Sequence, residues 1–246
     1  MAAPQMPEAL ANAVVIDGLI FVSDGAVEAL RQGGVSAINL TVSGLTADFE
    51  QATDDVAAWL ARLGAPDCPW MQVLRVDDIL EAKRRGKVGL IMGWQNMRPL
   101  GERLERLALF HRLGVRIMQL TYNEANFIAD GCLEPRNAGL TRLGRKAIEE
   151  MNRLGIAIDL SHVGIRSCLE AAEHSAKPVL LTHANARAVS SALRNKSDEV
   201  IKAVAGTGGI VGLSVYGPMC WNGDPLRRPS LDDFVRHLDH AVTLVG

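Results

Sequence analysis

Two histidines stand where apolar segments of this sequence end. His162 follows the segment IAIDLS at 156–161, and His183 follows PVLLT at 178–182, 21 positions after the first histidine. Short apolar runs of this kind predict buried β-strands, and consecutive parallel strands end at the same edge of a sheet. Imidazoles at neighbouring strand ends are positioned to bind a metal ion. The pattern also fits two histidines that only form hydrogen bonds with their neighbours, so the spacing alone leaves both interpretations open.

Other polar side chains follow predicted strands or share a helix face. Tyr122, Asn123 and Glu124 follow the fourth strand and would suit acid/base roles in an unrelated barrel enzyme. His237 and His240 are three positions apart on the last predicted helix. That spacing suits a metal clip, but a solvated helix face is the more common explanation, so we interpret these two histidines as structural.

Strands and helices alternate along the chain in seven βα units. Each predicted strand is mostly apolar, and the strands lie at 13–22, 35–42, 88–93, 115–121, 156–161, 178–182 and 208–215. Apolar strands separated by helices predict a parallel sheet covered on both faces. The turn RLG followed by Val or Ile recurs at 112–115 and 153–156. A glycine that ends a helix just before a buried strand is typical of a repeated βα unit.

Seven units favour a TIM-type (β/α)8 barrel, which needs eight. The sequence reaches Gly246 where the eighth strand would begin. We therefore expect a single barrel domain over residues 1–246 that lacks its last βα unit and is incomplete at its C-terminal end. Such a barrel would have two unpaired strand edges. The long segment 122–140 is rich in Asn, Gly, Asp and Pro and predicts a functional loop.

The composition is that of an ordinary globular protein. The 246 residues carry a net charge of −2, which gives no bulk attraction to nucleic acid or to an anionic membrane. The 4 cysteines are too sparse for a disulfide scaffold and form no C-x-x-C pair. The first residues lack a signal-peptide pattern, and no apolar run is long enough to span a bilayer. These features predict a cytoplasmic protein that binds neither nucleic acid nor membranes.

The segments around both histidines resemble a known family. The matching motifs are NRLG at 152–155, DLSHV at 159–163, TH at 182–183 and LRN at 193–195. They are similar to the membrane (renal) dipeptidase family of metallopeptidases. The resemblance implies a (β/α)8 barrel with two zinc ions that hydrolyses dipeptides and related amides. It implies that His162 and His183 bind zinc and that Arg194 holds the substrate carboxylate. Tyr122 stands where the family usually has a histidine facing the scissile carbonyl.

Several positions depart from the family pattern. The family's first strand ends in His-x-Asp, whereas this chain has Leu19 and Phe21 at the aligned positions. Gln95 replaces the glutamate that bridges the two zinc ions. The family's catalytic aspartate follows the eighth strand, which this sequence does not reach. The resemblance therefore implies a degenerate site with at most one zinc ion, bound by His162 and His183 with Gln95 and water.

Two functions follow from the resemblance. The first is a metal-dependent dipeptidase or small-amide hydrolase, in which no residue is yet assigned as catalytic. The alternative is a catalytically silent barrel in which Arg194 binds a small carboxylate through a bidentate pair. Arg187 lies in the same loop and is a rival for this role. Both functions take a small-molecule or dipeptide ligand. The sequence does not determine the oligomeric state, and a homodimer is the expectation.

Overall fold

A computed structural model describes residues 12–21, 24–222 and 228–246. The strands of the described residues are β1 (Val15–Ile20), β2 (Val35–Thr41), β3 (Trp70–Gln72), β4 (Val88–Trp94), β5 (Val115–Gln119), β6 (Ala157–Asp159), β7 (Val179–Leu181) and β8 (Ile210–Val211). The α-helices of the same residues are α1 (Val27–Gln32), α2 (Phe49–Leu63), α3 (Val76–Arg84), α4 (Glu105–Arg112), α5 (Arg142–Leu154), α6 (Ile165–His174), α7 (Asp198–Gly206), α8 (Gly217–Cys220) and α9 (Leu231–Val245). None of these helices combines the length and apolar character that crossing a membrane requires.

The strands form one parallel sheet, as the apolar strand pattern predicted. The sheet runs β1-β2-β4-β5-β6-β7-β8, and each strand of this path belongs to one predicted βα unit. The short strand β3 pairs with the first half of β4, from Trp70 opposite Val88 to Gln72 opposite Leu90. Because β5 pairs with the second half of β4, strands β3 and β5 share one edge of β4 while β2 occupies the other.

The sheet path is open between β1 and β8. In the described residues, β1 pairs with β2 and β8 pairs with β7, so one edge of each of these strands carries no ladder. A groove of about 580 Å³ lies between the two ends and is lined mainly by apolar side chains, among them Ile16, Ile91, Leu180 and Leu213. A complete barrel has an eighth strand between its first and seventh strands. The predicted α/β fold, an incomplete TIM-type barrel, is therefore confirmed.

Helix α5 shows how local sequence determines the elements behind the sheet. Thr141 begins the helix, because its hydroxyl oxygen accepts a hydrogen bond from the amide of Gly144 at 2.9 Å. Ala147 and Met151 are fully buried, as their helical spacing predicted. Gly155 ends the helix in the left-handed region, at φ +76°. Glycine adopts this conformation without strain, which allows the chain to turn directly into β6.

Several elements are shorter than the sequence-based prediction, and β8 and α4 show why. Strand β8 has 2 residues rather than the predicted span 208–215, because the chain beyond Gly212 bonds to a loop instead of to a strand. The amide of Gly212 still donates to the carbonyl of Leu181 at the end of β7, but the amide of Ser214 donates to Oδ1 of Asn185. Helix α4 begins later than position 100, because Gly101 adopts a positive φ of +55° there. The end of the first predicted strand, at 22, lies outside the described residues.

Candidate metal and ligand site

The structure brings His162 and His183 together at the carboxyl ends of β6 and β7. Their Nε2 atoms are 3.0 Å apart, and their ring centroids are 5.0 Å apart. The two strands are direct neighbours, with Asp159 opposite Leu180. His162 is buried and His183 is partly buried. The two rings therefore point their outer nitrogen atoms at one place on the rim of the sheet.

The carboxylate of Asp159 holds the two strand ends together. Its Oδ1 accepts the amide and hydroxyl protons of Ser161 at 3.0 and 2.6 Å, and the amide proton of Thr182 at 3.1 Å. Its Oδ2 accepts the Thr182 hydroxyl proton at 2.8 Å. The Ser161 hydroxyl oxygen in turn accepts the amide of His183 at 3.1 Å. Asp159 is 2% exposed, so these donors on both strand ends compensate a buried charge and fix the backbone beside each histidine.

Hydrogen bonds on the far side of each ring assign the tautomers. The Nδ1 atom of His162 lies 2.8 Å from Oδ1 of Asn123, which can only accept, so Nδ1 carries the proton. Thr182 donates its one hydroxyl proton to Asp159, so its oxygen accepts from Nδ1 of His183 at 2.8 Å. Both Nε2 atoms are then unprotonated in the neutral rings. In these tautomers two lone pairs face each other at this distance, an arrangement that a metal ion between them would stabilise.

The electrostatic environment of the rings is positive. Burial lowers the pKa of His162, and the charges of Arg194, His183 and Lys196 lower it further. Burial also lowers the pKa of His183 to about 4, an effect that Asp159 opposes and that Arg194 and Lys196 reinforce. Both imidazoles are therefore neutral near pH 7, which is the state that binds metal ions.

A cavity of about 620 Å³ adjoins the two imidazoles, and both Arg194 and Tyr122 line it. The Arg194 guanidinium donates to the carbonyl groups of Ser161 and His183, so it is anchored to both strand ends. Burial lowers the pKa of this guanidinium. Tyr122 stacks on the His162 ring, with centroids 4.0 Å apart and an interplanar angle of 22°. Burial raises the pKa of the Tyr122 hydroxyl, which keeps it protonated at neutral pH.

Gln95, Leu19 and Phe21 line the same cavity. Gln95 is buried, and its side-chain nitrogen donates to the hydroxyl of Thr41 at 3.0 Å. Its backbone carbonyl accepts from the side chain of Gln119 at 2.5 Å. Leu19 and Phe21 present hydrocarbon to the cavity, so they add no atom that could bind a metal.

The donor set fits one metal ion better than two. Within the described residues, no three His, Cys, Asp or Glu side chains come close enough to one another to hold a metal together. In a tetrahedral zinc site each ligand nitrogen lies about 2.0–2.1 Å from the zinc ion, so two such nitrogens are about 3.3 Å apart. The 3.0 Å between His162 and His183 is close to that spacing. The amide oxygen of Gln95 and water are the neutral ligands left to complete such a site.

Two positioning groups, Asp159 and Thr182, were not predicted as such. In the sequence, Asp159 is only part of a motif, and Thr182 is only the residue before a histidine. A signal for Asp159 was present, because an acid between Ile158 and Leu160 in a buried strand must find several donors. Thr182 had no signal of its own, since a hydroxyl at a strand end usually makes only one ordinary hydrogen bond.

Residues outside the cavity have structural roles. His237 is fully buried, so the prediction of a solvated helix face is wrong for this residue. Its Nδ1 accepts from the amide of Ala186 at 3.1 Å, and its Nε2 donates to the carbonyl of Cys220 at 2.9 Å. The reason is that α9 turns this face toward the chain after β7 and toward α8. His240 is partly exposed and contacts Asp198 at 2.8 Å.

Arg187 does not share the cavity with Arg194. Its guanidinium donates to the carbonyl of Leu193 within its own loop, whereas Arg194 lines the cavity beside the histidines. Of the two arginines that the sequence left as rivals, Arg194 is therefore the one placed to meet a ligand.

Known proteins resemble this chain over much of its length. The sequence profile of the membrane dipeptidase family (Peptidase family M19) matches residues 23–246. Dipeptidase tcpJ from Claviceps purpurea is 33% identical over 174 residues, which are 70% of this chain and 40% of tcpJ. Dipeptidase aclJ from Aspergillus oryzae is 31% identical over 163 residues, which are 65% of this chain and 38% of aclJ. The chain thus spans about 40% of the length of these curated relatives.

Solved structures show the same fold. An amidohydrolase from Pseudomonas aeruginosa superposes with a TM-score of 0.90 at 34% identity, covering 97% of this chain and 73% of that one. The probable dipeptidase PvdM from the same organism superposes with a TM-score of 0.86 at 20% identity, covering 97% of this chain and 82% of that one. The family profile excludes an unrelated barrel enzyme built on Tyr122, Asn123 and Glu124. Since this profile covers most of the sequence, the chain belongs to the membrane dipeptidase family, Peptidase family M19.

Proposed function

We propose that this chain is a metal-dependent hydrolase of dipeptides or related small amides, with one metal ion bound by His162 and His183. The observation that carries the proposal is the pair of Nε2 lone pairs facing each other across 3.0 Å. Hydrogen bonds to Asn123 and Thr182 orient both rings for this arrangement. Imidazole ligands suit zinc, and the family consists of metallopeptidases.

A zinc ion bound here would act as a Lewis acid and activate a water molecule for attack on an amide carbonyl. Arg194 would hold the carboxylate of the ligand, because its guanidinium lines the cavity and has more N–H groups than its two backbone contacts use. Tyr122 would donate a hydrogen bond to the ligand, because its hydroxyl stays protonated. The stacking of Tyr122 on His162 fixes the ring that carries this hydroxyl.

The proposal predicts one zinc ion per chain. In isothermal titration of metal-free protein, His162→Ala and His183→Ala should each lower zinc affinity by at least about 100-fold, because each removes one of the two imidazole ligands. His174→Ala is the matched control, since His174 is partly exposed and contacts Glu149 at 3.1 Å on the helical layer. Zinc binding by His162→Ala equal to that of the unmodified chain would contradict the proposed site.

The alternative function is a barrel that binds a small carboxylate without hydrolysing it. The donor set of the described residues favours this alternative, because two imidazoles and one amide give a metal no anionic ligand and give a water molecule no carboxylate base. Turnover of dipeptides and amides by the zinc-loaded chain separates the two functions. If the unmodified chain binds the carboxylate ligand without hydrolysing it, and Arg194→Met no longer binds that ligand, the silent barrel is favoured.

We also propose that the chain forms a homodimer through its open sheet edges. Ile16 on β1 and Ile210 on β8 are 48% and 67% exposed beside edges that pair with no other strand of the described residues. Unpaired edges with apolar side chains pair readily with other strands. Sedimentation velocity should detect a dimer that Ile210→Lys weakens and that Leu231→Lys, a change at an exposed helix position, preserves. A monomer at every loading concentration would refute the dimer.

A further inference from the structure

The charge in the ligand cavity has one sign. Arg194 lines the cavity and donates to the carbonyl groups of Ser161 and His183, and the buried Lys196 donates to the carbonyl of Val163, one residue after His162. The other described side chains that line the cavity are aliphatic, aromatic, thioether, amide, hydroxyl or imidazole groups. A ligand in this cavity therefore meets positive potential from its walls.

Three carboxylates of the described residues belong to segments beside the cavity, but none of them lines it. Asp159 is buried behind the histidines and accepts four hydrogen bonds from Ser161 and Thr182. Asp17 lines the neighbouring groove and accepts from the amide of Leu19 at 3.0 Å. Glu124 is exposed and affects the pKa of the Tyr122 hydroxyl less than Arg194 does. Within the described residues, no carboxylate lines the cavity itself.

The cavity also carries apolar surface that a ligand would cover. Phe21 and Tyr216 both line it and are 66% and 61% exposed, which is unusual for aromatic side chains. Met219 adds a buried thioether to the same wall. An acyl group placed against these side chains would remove apolar area from water.

We propose that this cavity selects N-acylated amino acids over free dipeptides. The proposal deepens the proposed function and rests on it for the assignment of the cavity as the substrate site. An N-acylated amino acid offers a carboxylate to Arg194, a neutral amide to the histidines and an apolar acyl group to Phe21 and Tyr216. A dipeptide carries the same carboxylate and amide, but its α-ammonium enters a positive cavity in which no described carboxylate can receive it.

Two ligands of nearly equal shape test the proposal. N-acetyl-L-phenylalanine and glycyl-L-phenylalanine differ by one ammonium group, and titration calorimetry in EDTA measures their binding without any metal. At pH 7 the acetylated ligand should bind at least about tenfold more tightly, because the α-amino group, with a pKa of about 7.7–8.0, is charged. At pH 9.5 this group is neutral while Arg194 stays charged, so the difference should shrink to about threefold or less.

A designed carboxylate gives the second arm of the test. Phe21→Asp should shift the preference toward glycyl-L-phenylalanine, whereas Phe21→Ser, its uncharged control, should keep the preference for the acetylated ligand. Position 21 is exposed, so both changes leave the core intact. N-acetyl-L-phenylalanine amide, which lacks the carboxylate, should bind at least about tenfold more weakly than the acid.

Three results would overturn the selectivity. They are equal or tighter binding of the dipeptide at pH 7, an unchanged difference at pH 9.5, and no measurable binding of either ligand. The proposed metal function fails by a different result, the absence of bound zinc in the zinc titration. The two failures are therefore distinguishable, because ligand preference is measured without metal and zinc binding is measured without ligand.

Discussion

Replacing Asp159 with asparagine should lower zinc affinity by about 10- to 100-fold while the chain stays folded. Thr182 now donates its proton to Oδ2 of Asp159 at 2.8 Å, which leaves the Thr182 oxygen to accept from Nδ1 of His183. An asparagine can keep Oδ1 as the acceptor for Ser161 but places an N–H donor where Oδ2 stood. Thr182 would then donate to Nδ1 of His183, and the ring proton would move to Nε2. A protonated Nε2 has no lone pair for a metal ion.

The mechanism of this loss can be observed directly. Nitrogen chemical shifts of 15N-histidine-labelled, metal-free protein should report the proton of His183 on Nδ1 in the unmodified chain and on Nε2 in Asp159→Asn. Thr182→Ser keeps the hydroxyl and should retain zinc affinity, whereas Thr182→Val removes it and should weaken binding. Thermal unfolding of each variant shows whether weaker zinc binding results from an unfolded chain. If Asp159→Asn binds zinc normally with Nε2 of His183 unprotonated, the hydroxyl of Thr182 does not control the tautomer.

The elements of the fold were predictable where local chemistry determines them. Helix α5 begins at a threonine cap and ends at Gly155, and both signals are visible in the sequence. Apolar continuity predicted β4, whose residues are almost all buried. It overestimated β8, because Ser214 leaves the ladder to bond with the side chain of Asn185 in the loop after β7. Such bonds depend on loops that lie close only in the folded chain, so local sequence cannot report them.

The site was predictable in its ligands but not in its supporting groups. Strand-end position and resemblance both pointed to His162 and His183, and the structure brings their Nε2 atoms to 3.0 Å. The partners of the rings come from other segments, with Asn123 in the loop after β5 and Thr182 at the end of β7. The segment 184–196 reads as a polar surface loop, yet Lys196 in it is buried. Composition gives the polarity of a segment but cannot show which polar groups find buried partners.

Replacing Lys196 with methionine should stabilise the chain by about 1–3 kcal/mol near pH 7. Lys196 is 1% exposed, and its Nζ donates to the carbonyl of Val163 and to Sγ of Cys168. Burial lowers the pKa of the ammonium and raises that of the Cys168 thiol, so the thiol stays protonated and gives no anionic partner. Methionine fills a similar volume without this desolvated charge. In this variant the carbonyl of Val163 can still accept a hydrogen bond from the Cys168 thiol, which lies 3.4 Å away.

The pH dependence tests the cause of this stabilisation. Because the folded-state pKa of Lys196 is lowered, the unfolded chain binds more protons between that pKa and about 10.4. The stability of the unmodified chain should therefore rise with pH through this window relative to Lys196→Met, by at most about 1.4 kcal/mol per pH unit. Denaturant unfolding at several pH values measures both slopes. Lys196→Ala should be less stable than Lys196→Met by about 2–4 kcal/mol because it leaves a cavity, and Lys177→Met, at an exposed lysine, should change stability by less than about 0.5 kcal/mol. Equal pH slopes for the unmodified chain and Lys196→Met would show that the buried ammonium has no desolvation cost.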